Sequence, residues 1–265
     1  MSYNRDSKTF LGGSDMKDIT TIYQSATKHV YVREGKTLVK AFDESYPKAN
    51  ILNEALNQAR VEETDLKIPK IEKVMAENGK WTIEMEYIPG KNLAQLMEEN
   101  PSKTEEYLDL MVGLQTEVHK KRVPLLPRLK DKMLNKIAQK AFNDTIKYEL
   151  QMRIESMPKH LKLCHGDFCP ENIVITPDGA PYLVDWSHAT QGNASCDIAR
   201  TYLTFYLAGK KEIAEKYLDK FCEKTGTAKN YVQRLLPVVA ASQSVKAKKE
   251  EAEMLAKWVD VVEYE

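Results

Sequence analysis

Glycine is scarce in this chain, 11 residues in 265, and no Gly-x-Gly-x-x-Gly run occurs. A dinucleotide-binding turn and a glycine-rich phosphate loop of the usual form are therefore excluded. A Walker A loop fails as well, because Val30 stands where the first glycine of a motif ending in Gly35-Lys36-Thr37 belongs. Cysteine is limited to Cys164, Cys169, Cys196 and Cys222, with no C-x-x-C pair and no histidine at metal spacing. That rules against a disulfide framework and a zinc site, and favours free thiols in a reducing cytosol. Neither sign of charge is in excess: Lys+Arg and Asp+Glu are both 39, so no net field points to nucleic acid or an acidic membrane. Long apolar runs are missing too. The stretch near Leu235 to Ala241, broken by Pro237, is far too short to span a bilayer, and the first fifteen residues hold no apolar signal core. The expectation is a cytoplasmic chain with no nucleic-acid or membrane partner, in which the Asn-x-Ser/Thr triplets at Asn143 and Asn193 carry no weight.

The sequence does contain enough apolar residues, 42%, for one large domain or two modest ones. Ile19–Ile22, His29–Val32 and Thr37–Val39 read as short strands, with Glu34-Gly35-Lys36 as the tight turn between the last two. Pro47 to Glu63 is helical, with Ile51, Leu52, Ala55, Leu56 and Ala59 on one face. Ile68–Met75 and Trp81–Tyr87 read as two further strands, and Ile88-Pro89-Gly90 as a linker. Beyond it, helices are predicted over 92–99, 104–121, 129–156, 195–208, 210–225 and 228–262. Gly12-Gly13 reads as a flexible turn. No internal repeat or low-complexity tract is present.

One segment interrupts the helical half. Leu163 to Trp186 reads LCHGDFCPENIVITPDGAPYLVDW. Ile173-Val174-Ile175 is a β-branched run, Thr176-Pro177-Asp178-Gly179 is turn chemistry, and Tyr182-Leu183-Val184 is a return strand. Pairing Ile175 with Tyr182 sets Asn172 opposite Asp185 at the open end. An amide oxygen and a carboxylate placed so can hold a hard cation such as Mg²⁺. Asp167, five residues before Asn172, is then close enough to meet a substrate hydroxyl. This is the outline of a phosphoryl-transfer site.

The pattern His165-Gly166-Asp167, Asn172 and Val184-Asp185-Trp186 resembles the H-G-D-x-x-x-x-N and I/V-D-W/F motifs of the aminoglycoside phosphotransferase and choline kinase group. The resemblance runs in order along nearly the whole chain. It implies a bilobal protein-kinase-like α+β fold, with a small antiparallel sheet lobe carrying one helix (residues 1–88) and a larger, mostly helical lobe (residues 89–265). It implies ATP and Mg²⁺ as cofactors. Asp167 is the catalytic carboxylate in that reading, Asn172 and Asp185 are metal ligands, and His165 is a packing residue of the loop. On strand three, Lys40 meets the nucleotide phosphates, fixed by Glu54 of the following helix. Ser25 and Thr27 are the candidate phosphate donors in place of a glycine-rich loop. Glu86 and Ile88 offer a backbone carbonyl and N–H to the adenine edge, with Met85 behind the ring; Pro89 has no N–H to give. Asp197, in a D-x-A motif at a helix start, accepts backbone N–H groups from the catalytic loop or caps its own helix.

The acceptor implied is a small hydroxyl compound, aminated or sugar-like or an aminoglycoside, and its recognition belongs to the second lobe. The tail from Trp258 to Glu265 offers rings and carboxylates toward such a ligand, or is an ordinary solvated helix. Two rival readings stand beside this one: a catalytically inactive kinase-shaped binding protein, as among spore-coat relatives, and a protein kinase. Only the eleven residues Trp186–Cys196 separate Asp185 from Asp197. Gly166 also stands where regulated protein kinases carry an arginine that receives a phosphorylated activation loop.

Overall fold

The computed structural model describes residues 19–77, 79–245 and 247–259. The chain divides into two compact units, residues 1–48 with 71–87, and residues 49–70 with 88–265. It thus leaves the first unit for a helix and returns to it at Ile71.

The first unit is a five-stranded antiparallel sheet. Its strands are β1 (Ile19–Gln24), β2 (Lys28–Arg33), β3 (Thr37–Phe42), β4 (Ile71–Glu77) and β5 (Lys80–Glu86), in the order β1-β2-β3-β5-β4. The β2–β3 hairpin closes on Glu34 and Gly35, at φ 52° and 65°, the paired left-handed residues that match strand twist in a tight turn. The central strands are buried on both faces: Val39, Lys40 and Phe42 from β3, and Ile83, Glu84 and Met85 from β5. Two charged residues in so apolar a setting need partners. Glu84 has one in Arg33, whose guanidinium donates to both carboxylate oxygens at 3.1 and 2.8 Å. The first of the two later strands begins at Ile71 rather than Ile68. Pro69 lacks the N–H that a ladder requires, and its carbonyl accepts from Gln58 Nε2 at 2.6 Å.

The second unit opens with α1 (Lys48–Val61, its first residue grouped with the sheet). There follow β6 (Lys91–Asn92), α2 (Leu93–Glu99), α3 (Thr104–Lys120), α4 (Leu129–Gln139) and α5 (Asp144–Ser156). After them come β7 (Lys162–Cys164), β8 (Ile173–Ile175), β9 (Pro181–Leu183) and β10 (Thr190–Gly192). The chain closes with α6 (Ala194–Leu207), α7 (Lys211–Thr225), α8 (Lys229–Gln233), α9 (Leu236–Ser244) and α10 (Lys249–Val259). Leu108, Met111, Leu150, Ile154, Leu163, Ile173, Leu203 and Tyr217 are among its fully buried side chains, so helices and the short strands share one core.

Two predicted helices are divided. The expected 129–156 helix stops at Gln139 and restarts at Asp144, because Asn143 Oδ1 accepts the Ile146 N–H at 2.8 Å and starts a new helix as its N-cap. The expected 228–262 helix is α8, α9 and α10. Pro237 lies in the first turn of α9, where a residue with no N–H is tolerated, and cannot continue α8. Residues 260–265, and Gly12-Gly13, lie outside the described residues. Trp258 is packed edge-on against Tyr202 and Tyr206, with ring centroids 6.1 and 5.3 Å away, as a partly buried side chain against the core of the helical unit.

Candidate active site

Strands β8 and β9 form the hairpin expected between Asn172 and Asp185, but in a register one residue from the expected one. Ile175 pairs with Pro181, Val174 with Tyr182 and Ile173 with Leu183. Five residues form the loop. Thr176 closes it, its N–H donating to Ala180 O while its Oγ1 accepts the Ala180 N–H, both at 3.0 Å. Asn172 is therefore opposite Val184, whose N–H donates to Asn172 O at 3.0 Å, and not opposite Asp185. A one-residue slip reverses facing in a regular strand. Here the strand ends first, since Asp185 takes a left-handed conformation, φ 62° and ψ 67°, before the helical turn Trp186–His188.

His165 ties the loop to the end of this hairpin. Its Nε2 lies 3.1 Å from Val184 O, and Asp167 N–H donates to its Nδ1 at 3.3 Å. A carbonyl accepts and a backbone N–H donates, so the ring is neutral with its proton on Nε2. Burial lowers its pKa, and the carboxylates of Asp197, Asp167 and Asp185 pull the other way, which gathers three acids around one fully buried imidazole. The ring packs on Trp186 at 4.4 Å and against Phe168 at 5.8 Å. With both nitrogens engaged, His165 is a brace and has no base left to offer.

Gly166 has φ 78°, and a Cβ there meets His188 O at 2.4 Å. Gly166→Ala is expected to displace the loop while the helical core stays folded. Circular dichroism should stay near wild type while turnover falls at least about tenfold, the scale set by misplacing a reacting group. Unchanged turnover would show that the loop has room to move.

Asp197, on the first turn of α6, holds the other side of the loop. Its Oδ1 accepts the Gly166 N–H at 2.7 Å, and its Oδ2 accepts the His165 N–H at 3.2 Å. Oδ2 also accepts from His119 Nε2 at 3.1 Å and Gln115 Nε2 at 3.3 Å. Burial would raise this pKa. The hydrogen bonds from His119 and from the Gly166 N–H outweigh it and hold the carboxyl below the ordinary range. Of the two roles open to Asp197, binding the loop's N–H groups is the one observed.

Asp167 is half-exposed at the mouth of this arrangement. Asn172 Nδ2 donates to Asp167 O at 2.9 Å and more weakly to its Oδ2 at 3.4 Å. That engages the amide's Nδ2 and leaves Oδ1 as its acceptor oxygen. Arg200 Nη2 donates to Asp167 Oδ1 at 3.0 Å. Lys132 Nζ donates to His188 O at 3.1 Å. His188 itself is held near pKa 3 by burial and then by the positive charges of Lys132 and Arg200. Sequence reasoning passed over Arg200 and Lys132. The signal for Arg200 was its i, i+3 spacing from Asp197, which puts both on one face of α6.

The phosphotransferase enzyme family (APH) matches the chain over residues 19–231. The chain belongs to this family. Membership makes it an ATP-dependent phosphotransferase with an alcohol group as acceptor and Mg²⁺ as the attendant ion. Solved structures share its fold. Aminoglycoside phosphotransferase APH(4)-Ia, a thermostable mutant in a complex with ADP and hygromycin B, is 14% identical with TM-score 0.66, over 91% of this chain and 90% of that one. Aminoglycoside-3'-phosphotransferase of type VIII is 15% identical with TM-score 0.62, over 84% and 93%. APH(2'')-Ib in its ADP-bound form is 14% identical with TM-score 0.62, over 93% of each chain. No curated protein sequence matches the chain. At these identities the neighbours establish the protein-kinase-like fold, a five-stranded sheet with a mostly helical second unit.

Within this phosphotransferase, the remaining sequence-predicted residues divide by unit. Lys40 is buried on β3, Met85 is buried on β5 and Glu86 ends that strand. Ser25 and Thr27 form the exposed β1–β2 turn. Ser25 Oγ accepts the Lys28 N–H at 3.1 Å and the Thr27 N–H at 3.4 Å, so its hydroxyl oxygen already shapes the turn. Glu54, buried on α1, and Ile88 belong to the second unit. Asp167, Asn172 and Asp185 are the three that the structure draws into one neighbourhood. Mg²⁺ suits this donor set. It takes few protein ligands, prefers carboxylate and amide oxygens, and leaves its other positions to phosphate and water. Asn172 Oδ1 and the Asp185 carboxylate supply such oxygens. Among the described residues no cluster of three or more His, Cys, Asp or Glu offers a competing site.

Proposed function

We propose that the protein transfers the γ-phosphoryl group of ATP to a hydroxyl of a small molecule, with Asp167 as the catalytic carboxylate and Asn172 and Asp185 as the residues that hold Mg²⁺. The observation that carries this reading is the brace at His165, which couples the Asp167 backbone to the carbonyl beside Asp185. Asp167 orients the acceptor hydroxyl and takes its proton, with Arg200 positioned on its Oδ1. Asn172 and Asp185 would hold Mg²⁺, which would supply positive charge to the phosphates during transfer. Positioning and preorganised electrostatics supply most of the rate enhancement in a loose phosphoryl transfer. Lys40, Glu54, Ser25, Thr27, Met85, Glu86 and Ile88 are proposed as the nucleotide-handling residues, carried over by motif position. The lobes are proposed to divide at residue 88, with nucleotide handling before it and catalysis and acceptor recognition after it.

A small acceptor is favoured by the stretch after Asp185. It is a helical turn, a strand paired to β7 and an N-cap at Asn193, with no extended platform for a peptide. Mg²⁺-dependent ATP binding tests the reading. Wild type should bind ATP only with Mg²⁺ present, and Asp185→Ala should lose this Mg²⁺-dependent binding while keeping its circular dichroism spectrum. Normal Mg-ATP binding by the variant would place the metal elsewhere.

A further inference from the structure

The chain has equal numbers of acidic and basic residues, yet basic side chains outnumber acidic ones in the lining of two cavities on the α4 side of the Gly166 loop. A small cavity of about 40 Å³ lies against Gly166 and His188, with Lys132, Lys136 and Arg200 in its walls. A larger cavity of about 500 Å³ shares Leu129 and Cys196 with it and adds Arg128, Lys130 and Lys159. The acids lining the pair are Asp131 and Asp197. Asp197 is 2% exposed and its oxygens already accept from His119, Gln115 and two loop N–H groups, so it presents no free anion to the cavity. Leu129, Lys132, Met133 and Lys136 follow the i, i+3, i+4, i+7 spacing of a single helix face, which explains how α4 brings two ammonium groups to one wall. Arg200 joins this wall to the reactive group, since its Nη2 is 3.0 Å from Asp167 Oδ1. Its Nε is buried without a hydrogen-bond partner among the described residues.

We propose that the acceptor is a hydroxyl compound carrying an oxyanion, phosphate or carboxylate, which Lys132, Lys136 and Arg200 hold so that its hydroxyl reaches Asp167. This rests on the kinase reading given above and names the acceptor class within it. Cationic amines and aminoglycosides are disfavoured by the same wall, contrary to the aminated acceptor expected from the tail. Lysine suits this role as a compact point charge with three donors, and the guanidinium adds a planar pair.

The test compares matched acceptors with the wild-type protein and Mg-ATP: ribose with ribose 5-phosphate, glycerol with glycerate, and choline or kanamycin as cations. Mg-ATP binding is measured separately without acceptor. The anionic member of each pair should be preferred in kcat/KM by at least about tenfold, the scale of one charge-assisted hydrogen bond. That preference should shrink as salt is raised. Ribose 5-phosphate and glycerate distinguish a phosphate from a carboxylate requirement. In Lys132→Met and Lys136→Met, KM for the anionic acceptor should rise about 10- to 100-fold with a smaller change in kcat. Lys136→Arg should restore part of the loss. Preference for a neutral or cationic acceptor overturns the proposal, as does an anion preference that both methionine variants leave intact. So does intact Mg-ATP binding with no anionic acceptor turned over. Absence of Mg-ATP binding is a separate result that removes the kinase reading itself, and the acceptor class with it.

Discussion

Asp167→Asn should reduce turnover by about 10²–10⁴ and leave Mg-ATP affinity within a few-fold, the usual scale for removing a positioned general base. The substitution keeps the shape of the side chain, and the features that hold residue 167 in place are mostly main-chain. Its N–H donates to His165 Nδ1 and its carbonyl accepts from Asn172 Nδ2. Neither bond depends on the carboxylate. What is lost is the negative charge that Arg200 faces at 3.0 Å and the capacity to take a proton from the acceptor. Single-turnover kinetics with saturating ATP, together with nucleotide titration, separates the two effects. Near-wild-type turnover would reject Asp167 as the catalytic carboxylate.

Asp197→Ala should destabilise the whole helical unit by about 3–5 kcal/mol, the cost of breaking a buried charge-assisted network by removing one partner. The carboxylate serves four donors: two loop N–H groups, His119 and Gln115. Alanine leaves all four buried and unpaired around a cavity. Denaturant unfolding should show a lower midpoint at unchanged slope. The pH dependence follows from the lowered carboxyl pKa. A depressed acid contributes stability that is present above its unfolded value, near 3.8, and lost as pH falls through the folded value. The gap between wild type and variant should therefore be full at neutral pH and narrow in strong acid. An identical midpoint for the two proteins at neutral pH would mean that the network contributes nothing to stability.

The contrast between Asp167 and Asp185 shows what a sequence can carry. Asp167 was legible because its neighbours in sequence, His165 and Asn172, are also its neighbours in space. The hairpin was legible for the same reason, with β-branched strands around Thr176-Pro177-Asp178-Gly179. Its register was not, because Pro181 and Tyr182 compete as the first residue of the return strand and the loop's hydrogen bonds at Thr176 decide between them. The left-handed turn at Asp185 is one that aspartate tolerates better than most residues, but aspartate is too common in other conformations to specify it. Strands β6, β7 and β10 are two or three residues long, too short for any alternation to register, and exist through pairing with distant segments. The division between α4 and α5 could have been read from Asn143-Asp144, a plain N-cap signal that the long apolar period obscured. Arg200 could have been read from its spacing to Asp197, whereas Lys132 could be assigned to the site only once α4 was placed against the loop.

The missing side chain at residue 166 also bears on how this enzyme can change. A larger residue there must displace the His188 carbonyl, and that carbonyl already anchors Lys132. Protein kinases use this same position for an arginine that senses phosphorylation. In this protein a mutation of that kind disturbs the loop and the basic wall in one step, before any sensing could be gained. The catalytic loop is therefore a poor starting point for evolving covalent control. Innovation has an easier course through α4 and the 157–161 segment, where residues lining the cavity can be exchanged without touching the His165 brace, so new acceptors are more accessible to this lineage than new switches.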